Sequence, residues 1–135
     1  MEKKPSVVYF TNFRARPGTS VLQKLEKLIR AAGIGNIDME KKMVAIKIHF
    51  GEPGNLAYLR PNYAKVVADV VKSLGGMPFL TDCNTLYVGR RKNALDHMDA
   101  AYENGFSPFS TGCHVIIADG LKGTDDVEVP VGGGQ

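Results

Sequence analysis

The pattern of hydrophobic and polar positions predicts strands that alternate with helices along the chain. Apolar, β-branched runs predict strands, and apolar residues repeating every three to four positions predict helices between them. A final run alternates as VEVPV, in which Pro130 indicates an edge strand or a bulge. The predicted strands cover residues 6–12, 43–50, 77–82, 114–119 and 127–131, and the predicted helices cover residues 20–32, 61–74 and 91–104. The predicted element order is therefore β-α-β-α-β-α-β-β.

Capping residues support the helix boundaries. Ser20 and Gln23 have capping-box spacing, and Pro61 suits the first turn of a helix. Helices between successive strands imply parallel pairing with right-handed crossovers, so the predicted fold class is α/β, a three-layer sandwich with a mostly parallel sheet. We expect one domain over residues 1–131 and a Gly-rich tail over 132–135. Because that tail follows a strand-like run abruptly, we also expect the chain to be the N-terminal part of a longer architecture.

Composition, charge and cysteine spacing argue against several classes of function. The 135 residues carry a net charge of only +3 without a dense basic stripe, so nucleic acid is not an expected partner. No apolar run reaches the roughly 20 residues that a membrane span needs, and we expect a cytoplasmic protein with no membrane contact. Cys83 and Cys113 lack metal-site spacing and lie near opposite strand ends, so we expect free thiols and no cofactor within this chain.

Polar residues concentrate after the predicted strands, where open α/β sheets bind their ligands. Five of the six arginines lie in these segments, and arginine suits bidentate binding of carboxylate or phosphate. This distribution indicates a small anionic ligand. The alternative is that the arginines pair with nearby acids (Glu52, Asp82 or Asp119) and only cover loop surface. The ligand-binding candidates are Glu52, Asn55, Arg60, Asn84, Tyr87 and Arg90.

A second set of candidates lies on the strand over residues 43–50. Lys47 and His49 share one strand face, and Asp82 at the end of the next strand is the expected partner of the Lys47 ammonium. We take Lys47, His49 and Asp82 as catalytic candidates, with Lys47 or His49 as proton donor or anion contact. An edge strand with a wetted face explains Lys47 and His49 equally well.

Two weaker possibilities concern the same region. The loop over residues 51–55 (GEPGN) could cradle a phosphate through its backbone N–H groups, but Pro53-Gly54 is better explained by a type II turn. A metal site made by His49, Asp82 and Asp119 has no characteristic ligand spacing, and we therefore assign no metal ligand.

Several long motifs resemble one family. The segments VAIKIHFGEPGNLAYLRP, PFLTDCNTLYVGRR followed by NALDH, ENGFSPF, and VIIADGLKGTDDVEVPV occur in the order found in the DUF362 family. The resemblance extends over residues 7–131. It implies an α/β domain that many members, often labelled iron–sulfur-center proteins, continue into a ferredoxin-like segment with CxxCxxCxxxCP motifs for 4Fe–4S clusters. Those motifs do not occur in this sequence, so the resemblance places clusters only in a downstream region.

Two functions follow as expectations. In the first, the α/β domain binds a small anionic ligand at the carboxyl ends of its strands, in a redox context set by a downstream ferredoxin-like module. In the second, it is a non-catalytic assembly module that docks another domain or a second copy of itself. The residues do not decide whether the chain is an enzyme.

Overall fold

The structure, a computed structural model, describes residues 5–133 and contains three strands and four α-helices in that range. In chain order these elements are α1 (Val21–Ala31), β1 (Met43–Lys47), α2 (Pro61–Ser73), β2 (Met77–Asp82), α3 (Ala94–Glu103), α4 (Pro108–Thr111) and β3 (His114–Ile117), with a 3-10 turn (Ile34–Asn36) after α1.

The strands form one parallel sheet in the order β1-β2-β3. Met43 pairs with Met77 at the start of the first ladder, and Phe79 pairs with His114 at the start of the second. Helix α2 connects β1 to β2, while α3 and α4 lie between β2 and β3. The predicted α/β class, a parallel sheet flanked by helices, is confirmed.

The core lies between one face of the sheet and the helices. Alternate strand residues, among them Leu80, Val115 and Ile117, are buried against α2 and α3. These helices present alanines such as Ala68 and Ala101, both fully buried, which let the helix backbones approach the sheet closely. Burial of a large aliphatic or aromatic side chain contributes roughly 1.5–3 kcal/mol, so this layer supplies most of the stability.

The opposite face of the sheet is open among the residues that the structure describes. Met43 is 80% exposed, Met77 50% and Ile116 47%, although all three side chains are apolar. Alternation along the strands places them on the face away from α2 and α3. A three-layer sandwich would cover this face with a further layer, so the described helices form only one of its two outer layers.

The two predicted terminal strands are not formed, which corrects the predicted element order. Residues 6–12 and 127–131 contain no strand, and Val8, Phe10 and Val127 are each more than four-fifths exposed. β-Propensity reflects packing against neighbouring strands, and neither segment has a partner strand here. Pro130 also lacks the N–H that a ladder requires. The described fold is therefore built on three strands, not five.

Capping residues define the helix ends, and the cap of α3 leaves Arg91 outside a helix. The capping box of Ser20 and Gln23 at α1 is formed as predicted. Helix α3 begins later than predicted, because Asn93 is extended and its side chain accepts hydrogen bonds from the N–H groups of Leu95 and Asp96. Arg91 consequently lies in the loop before α3. None of the described helices is both long and apolar enough to cross a membrane.

Candidate functional site

A cleft lies where β1 and β2 end, and we call it the strand-end cleft. Its volume is about 410 Å³. The loops after β1 and β2 supply its walls, which combine apolar and polar side chains. The lining residues are Ile48, His49, Glu52, Asn55, Ala57, Tyr58, Leu59, Tyr87 and Arg91. The cleft thus occupies the sheet edge at which parallel α/β folds bind ligands.

Glycine 51 allows the loop after β1 to fold back on itself. Its φ is +86°, and a Cβ at this position would lie 2.5 Å from Cδ1 of Tyr58 and 2.7 Å from Nδ2 of Asn104. Asn104 also donates a hydrogen bond of 2.9 Å to the carbonyl of Phe50, the fully buried residue before Gly51. The absence of a side chain therefore lets the loop pack against Tyr58 and hold the cleft's first wall in place.

Glu52, Tyr87 and Arg91 form a compact hydrogen-bonded cluster along the cleft. The Tyr87 hydroxyl donates to Oε1 of Glu52 at 2.6 Å, and Nε of Arg91 donates to the same oxygen at 2.7 Å. Nη2 of Arg91 reaches both Glu52 and the Tyr87 oxygen. Because the Arg91 side chain is only 4% exposed, its charge is held by these partners rather than by water.

Proton affinities in this cluster follow from its hydrogen bonds. Bonds from Arg91 and then Tyr87 hold the pKa of Glu52 below its usual value, so this carboxyl is ionised near neutral pH. The bond to the Glu52 carboxylate in turn raises the pKa of Tyr87. Burial lowers the pKa of Arg91, but the hydrogen bond and charge of Glu52 outweigh it, and the net pKa is raised. The cluster is therefore a fixed ion pair with a neutral phenol.

Asp82 lies behind this cluster and connects it to the core. Its Oδ1 is 2.9 Å from Nζ of Lys47 and accepts a 2.9 Å bond from the N–H of Cys83. Its Oδ2 is 3.4 Å from Nη1 of Arg91 and 3.7 Å from Nε2 of His97. Burial would raise the pKa of Asp82, but His97, Lys47 and the Cys83 N–H outweigh burial and hold that pKa well below its usual range.

His97 is fully buried beside Asp82. Neither ring nitrogen has a hydrogen-bond partner among the described residues, since 3.7 Å is too long for one. The ring packs edge-on against Phe50, with 5.8 Å between ring centroids. Nε2 of His97 is thus a core-side polar atom close to Asp82, at 3.7 Å.

Hydrogen bonds from nearby backbone N–H groups orient two exposed polar residues of the cleft, His49 and Asn55. The Gly51 N–H donates to Nδ1 of His49 at 2.9 Å, so this nitrogen carries no proton and the ring proton lies on Nε2. The Ala57 N–H donates to Oδ1 of Asn55 at 2.8 Å, which leaves the Asn55 amide NH₂ unbonded among the described residues. Both side chains consequently present N–H donors.

The side chain of Asn84 forms its hydrogen bonds outside the cleft. Its backbone N–H and its side-chain amide both donate to the carboxylate of Asp119, at 2.9 to 3.0 Å, and the amide also donates to the Gly120 carbonyl at 2.8 Å. These bonds join the loop after β2 to the loop after β3. Asn84 does not line the cleft, and its bonds support the neighbouring loop.

Two of the candidate arginines also lie outside the cleft. Arg90 pairs with Glu103 of α3 at 2.6 Å on the molecular surface. Arg60 is the exposed N-cap residue of α2, and its side chain makes no cap hydrogen bond. The alternative for the arginines was that they pair with acids. Arg90 does so, and so does Arg91, which binds Glu52 and Asp82.

The sequence reasoning missed two central residues, Arg91 and His97. Arg90 and Arg91 both follow β2, and nothing in the sequence indicates which of the two side chains turns inward. Helical spacing offered one signal, since His97 lies on the same face as the buried Ala94, Ala100 and Ala101.

The histidines, acids and thiols of the described chain can be surveyed for metal-binding groups and disulfides. Within residues 5–133 no group of three or more His, Cys, Asp or Glu side chains is placed to hold a metal ion. Cys83 is exposed and Cys113 buried, and both are free thiols. The cleft therefore offers hydrogen-bond donors and a fixed ion pair as its main chemical resources.

Comparison with known proteins gives the chain a family. No curated protein and no solved structure matches it significantly. A family model described as a domain of unknown function, DUF362, matches residues 44–135, which include β2, β3, all of β1 except its first residue, and every residue that lines the cleft. The chain belongs to the DUF362 family.

Proposed function

We propose that the strand-end cleft binds a small ligand through an acidic group on that ligand. One observation carries the proposal: hydrogen bonds from Gly51 and Ala57 fix His49 and Asn55 so that their remaining polar atoms are donors. Two donors held on one wall suit a carboxylate or phosphate oxygen, and hydrogen bonds to charged acceptors are worth about 1.5–3 kcal/mol each.

The charges around the cleft permit an acidic ligand. Glu52 is ionised, but Arg91 binds it directly and offsets its charge. Oε1 of Glu52 receives the bonds from Arg91 and Tyr87, whereas Oε2 has no hydrogen-bond partner in the part of the chain that the structure describes. This oxygen suits a hydroxyl on the ligand, so a hydroxy acid would use both kinds of group.

The apolar wall suits the body of such a ligand. Ile48, Ala57 and Leu59 line the cleft beside the ring of Tyr58. A volume of about 410 Å³ is within the range of small-molecule sites. Each methylene group buried against this wall would add about 0.8 kcal/mol.

The test is a ligand titration of a variant in which one hydrogen-bond donor of the cleft is replaced by an acceptor. An Asn55→Asp variant keeps Oδ1 as acceptor for the Ala57 N–H but replaces the amide NH₂ by a charged oxygen. Asn36→Asp makes the same change at an exposed position in the 3-10 turn after α1, outside the cleft lining, and is the matched control. The probes are benzoate, phenyl phosphate and the neutral benzamide, followed by NMR chemical shifts.

We expect wild type and Asn36→Asp to bind benzoate or phenyl phosphate saturably and benzamide at least about tenfold more weakly. Asn55→Asp should lose at least about tenfold in affinity for the anions, because one hydrogen bond becomes a repulsion. Equal affinities in Asn55→Asp and Asn36→Asp, or no saturable shift in wild type, would refute the proposal.

A redox context is the finer part of this proposal and is supported by the resemblance to iron–sulfur-center proteins alone. Under it, the cleft works beside a ferredoxin-like module supplied outside residues 1–135. The test is the visible absorbance and iron content of the gene product as the cell makes it, purified without oxygen. A cluster absorbance band supports this context, and a colourless, iron-free protein contradicts it.

A second candidate, an assembly module, is favoured by the open face of the sheet. Met43 and Met77 are paired neighbours there, and Ile116 is exposed on the same face. Large exposed apolar patches mark protein–protein interaction sites. Sedimentation at increasing concentration tests docking of a second copy, with Ile116→Lys as the variant. Docking requires a concentration-dependent dimer that this variant abolishes, whereas a monomer at every concentration counts against it.

A further inference from the structure

A second groove lies between α1 and the start of α2, and it shares only Leu59 with the lining of the strand-end cleft. Its volume is about 240 Å³, and its lining is almost wholly apolar. Helix α1 contributes Val21, Leu25 and Leu28, and the remaining wall comes from Thr11, Asn12, Phe13, Leu59 and Tyr63. We call it the α1 groove.

The apolar stripe of α1 is only half covered. The helix is strongly amphipathic, yet none of its residues is buried. Phe13 is 78% exposed and Leu59 61% exposed at the groove's edge. A helix normally buries such a stripe against the core, so the α1 groove leaves apolar surface available to a ligand.

A basic pocket adjoins the α1 groove at Asn12. This pocket, of about 340 Å³, is lined by Asn12, Arg14, Arg16, Thr19 and Lys24, and Asn12 lines the groove as well. Neither Arg14 nor Arg16 forms an ion pair among residues 5–133, and no acidic residue lines the pocket or the groove. The pocket therefore carries uncompensated positive charge.

The loop that carries these arginines is held in a defined shape. Nζ of Lys24 donates to the carbonyl oxygens of Asn12 and Arg14, at 2.6 and 3.1 Å, and to Oδ1 of Asn12 at 2.7 Å. The backbones of Arg16 and Thr19 exchange two further hydrogen bonds, of 3.2 and 2.9 Å. These contacts use backbone atoms and the Lys24 ammonium, so both guanidinium groups remain available.

We infer that the α1 groove and its basic pocket together bind an amphipathic anion. The apolar tail lies along Leu25 and Leu28, and the acidic head group, a phosphate monoester or a carboxylate, is held by Arg14 and Arg16. The complementarity of charge selects this class of ligand. An apolar groove beside two arginines that have no acidic partner among residues 5–133 matches a molecule with an aliphatic chain and one anionic end.

The test compares octyl phosphate with its two halves, octanol and inorganic phosphate, by calorimetric titration. We expect one equivalent of octyl phosphate to bind, with octanol and inorganic phosphate each at least about tenfold weaker. On the wild type, affinity should also rise from ethyl through butyl to hexyl phosphate. Equal binding of octanol, or a flat series of chain lengths, would overturn the inference.

Charge variants locate the head group. Arg14→Ala combined with Arg16→Ala should weaken octyl phosphate binding at least about tenfold. The matched control, Lys27→Ala combined with Lys122→Ala, removes the same charge from exposed positions outside both pockets and should change affinity by less than about twofold. Equal losses in the two double variants would reduce the effect to net charge and contradict the assigned site.

A second copy of the chain is the competing occupant of the groove. It would appear in sedimentation as a dimer that Leu25→Ser dissociates, with no saturable binding of octyl phosphate, and that result would refute the inference. A monomer that binds octyl phosphate through Leu25 supports it. The wild-type chain-length series still decides the question if Leu25→Ser fails to fold.

Discussion

The strand-end cleft and the α1 groove both contain arginine, but they use it in opposite ways. In the cleft, Arg91 is almost fully buried and is bound by Glu52, Tyr87 and Asp82. Beside the groove, Arg14 and Arg16 have no acidic partner in the described chain and face an open pocket. Arginine in a post-strand segment therefore does not by itself identify an anion site, because its partners decide what remains free for a ligand.

The largest difference should appear in stability when the buried arginine is removed. Arg91→Ala leaves Asp82 buried with weakened compensation and should lower the free energy of unfolding by about 3–5 kcal/mol. Its neighbour provides the control, because Arg90 makes an exposed ion pair with Glu103. Urea denaturation measures both, and we expect Arg90→Ala to unfold near the wild-type midpoint. Similar midpoints for Arg91→Ala and the wild type would show that the cluster does not stabilise the fold.

The next effect concerns the loop that shapes the cleft. Gly51 and Gly54 both have positive φ, +86° and +81°, but only at Gly51 would a Cβ collide with neighbouring side chains. Gly51→Ala should lower the free energy of unfolding by about 1–3 kcal/mol more than Gly54→Ala, because both carry the backbone strain and one adds the clash with Tyr58. Thermal denaturation of the two variants checks this, and equal losses would remove the packing role of Gly51.

A third effect depends on pH. The folded-state pKa of Asp82 is depressed, so its ionised form stabilises the protein above the unfolded-state pKa of about 3.9, and this contribution falls as pH drops below that value. Wild type should therefore be more stable than Asp82→Asn at neutral pH, with the difference shrinking below about pH 4. Denaturant midpoints over a pH series measure it. A difference that is constant down to strongly acidic pH would contradict the ion-pair assignment.

The smallest expected effect on stability concerns the two arginines beside the α1 groove. Arg14→Ala combined with Arg16→Ala removes two exposed, unpaired charges, and the unfolding free energy should change by no more than about 0.5 kcal/mol for each. The same urea experiment serves as the measurement. A loss as large as that of Arg91→Ala would mean that these arginines are structural and would remove the contrast between the two regions.

The sequence predicted the central fold well because its signals there are local and mutually consistent. Strand β2 has the predicted limits because its apolar run is a local signal. Helix α2 begins at Pro61 as predicted, because the fixed φ of proline suits the first turn of a helix. The predictions of the two terminal strands were wrong because a strand forms only beside a partner strand, and the sequence pattern does not show whether a partner is present. Ser107 and Pro108, a cap followed by proline, could have revealed α4, which was missed.

The candidate site was predicted in part. Lys47 does pair with Asp82, and His49, Glu52, Asn55 and Tyr87 do line one cleft, because the carboxyl ends of parallel strands meet at one edge. The choice between Arg90 and Arg91 depended on where α3 starts. That boundary is set by the extended conformation of Asn93, which propensity alone does not reveal.

The tautomer of His49 tests the proposed cleft most directly, since His49 is one of its two proposed donors and donates from Nε2 only if that nitrogen carries the proton. Long-range proton–nitrogen NMR spectra at alkaline pH, assigned with a His49→Gln variant, report it. We expect the proton on Nε2 and a saturable shift of that nitrogen on adding benzoate. A proton on Nδ1, or an Nε2 signal that benzoate leaves unchanged, would contradict a donor-lined cleft for acidic ligands.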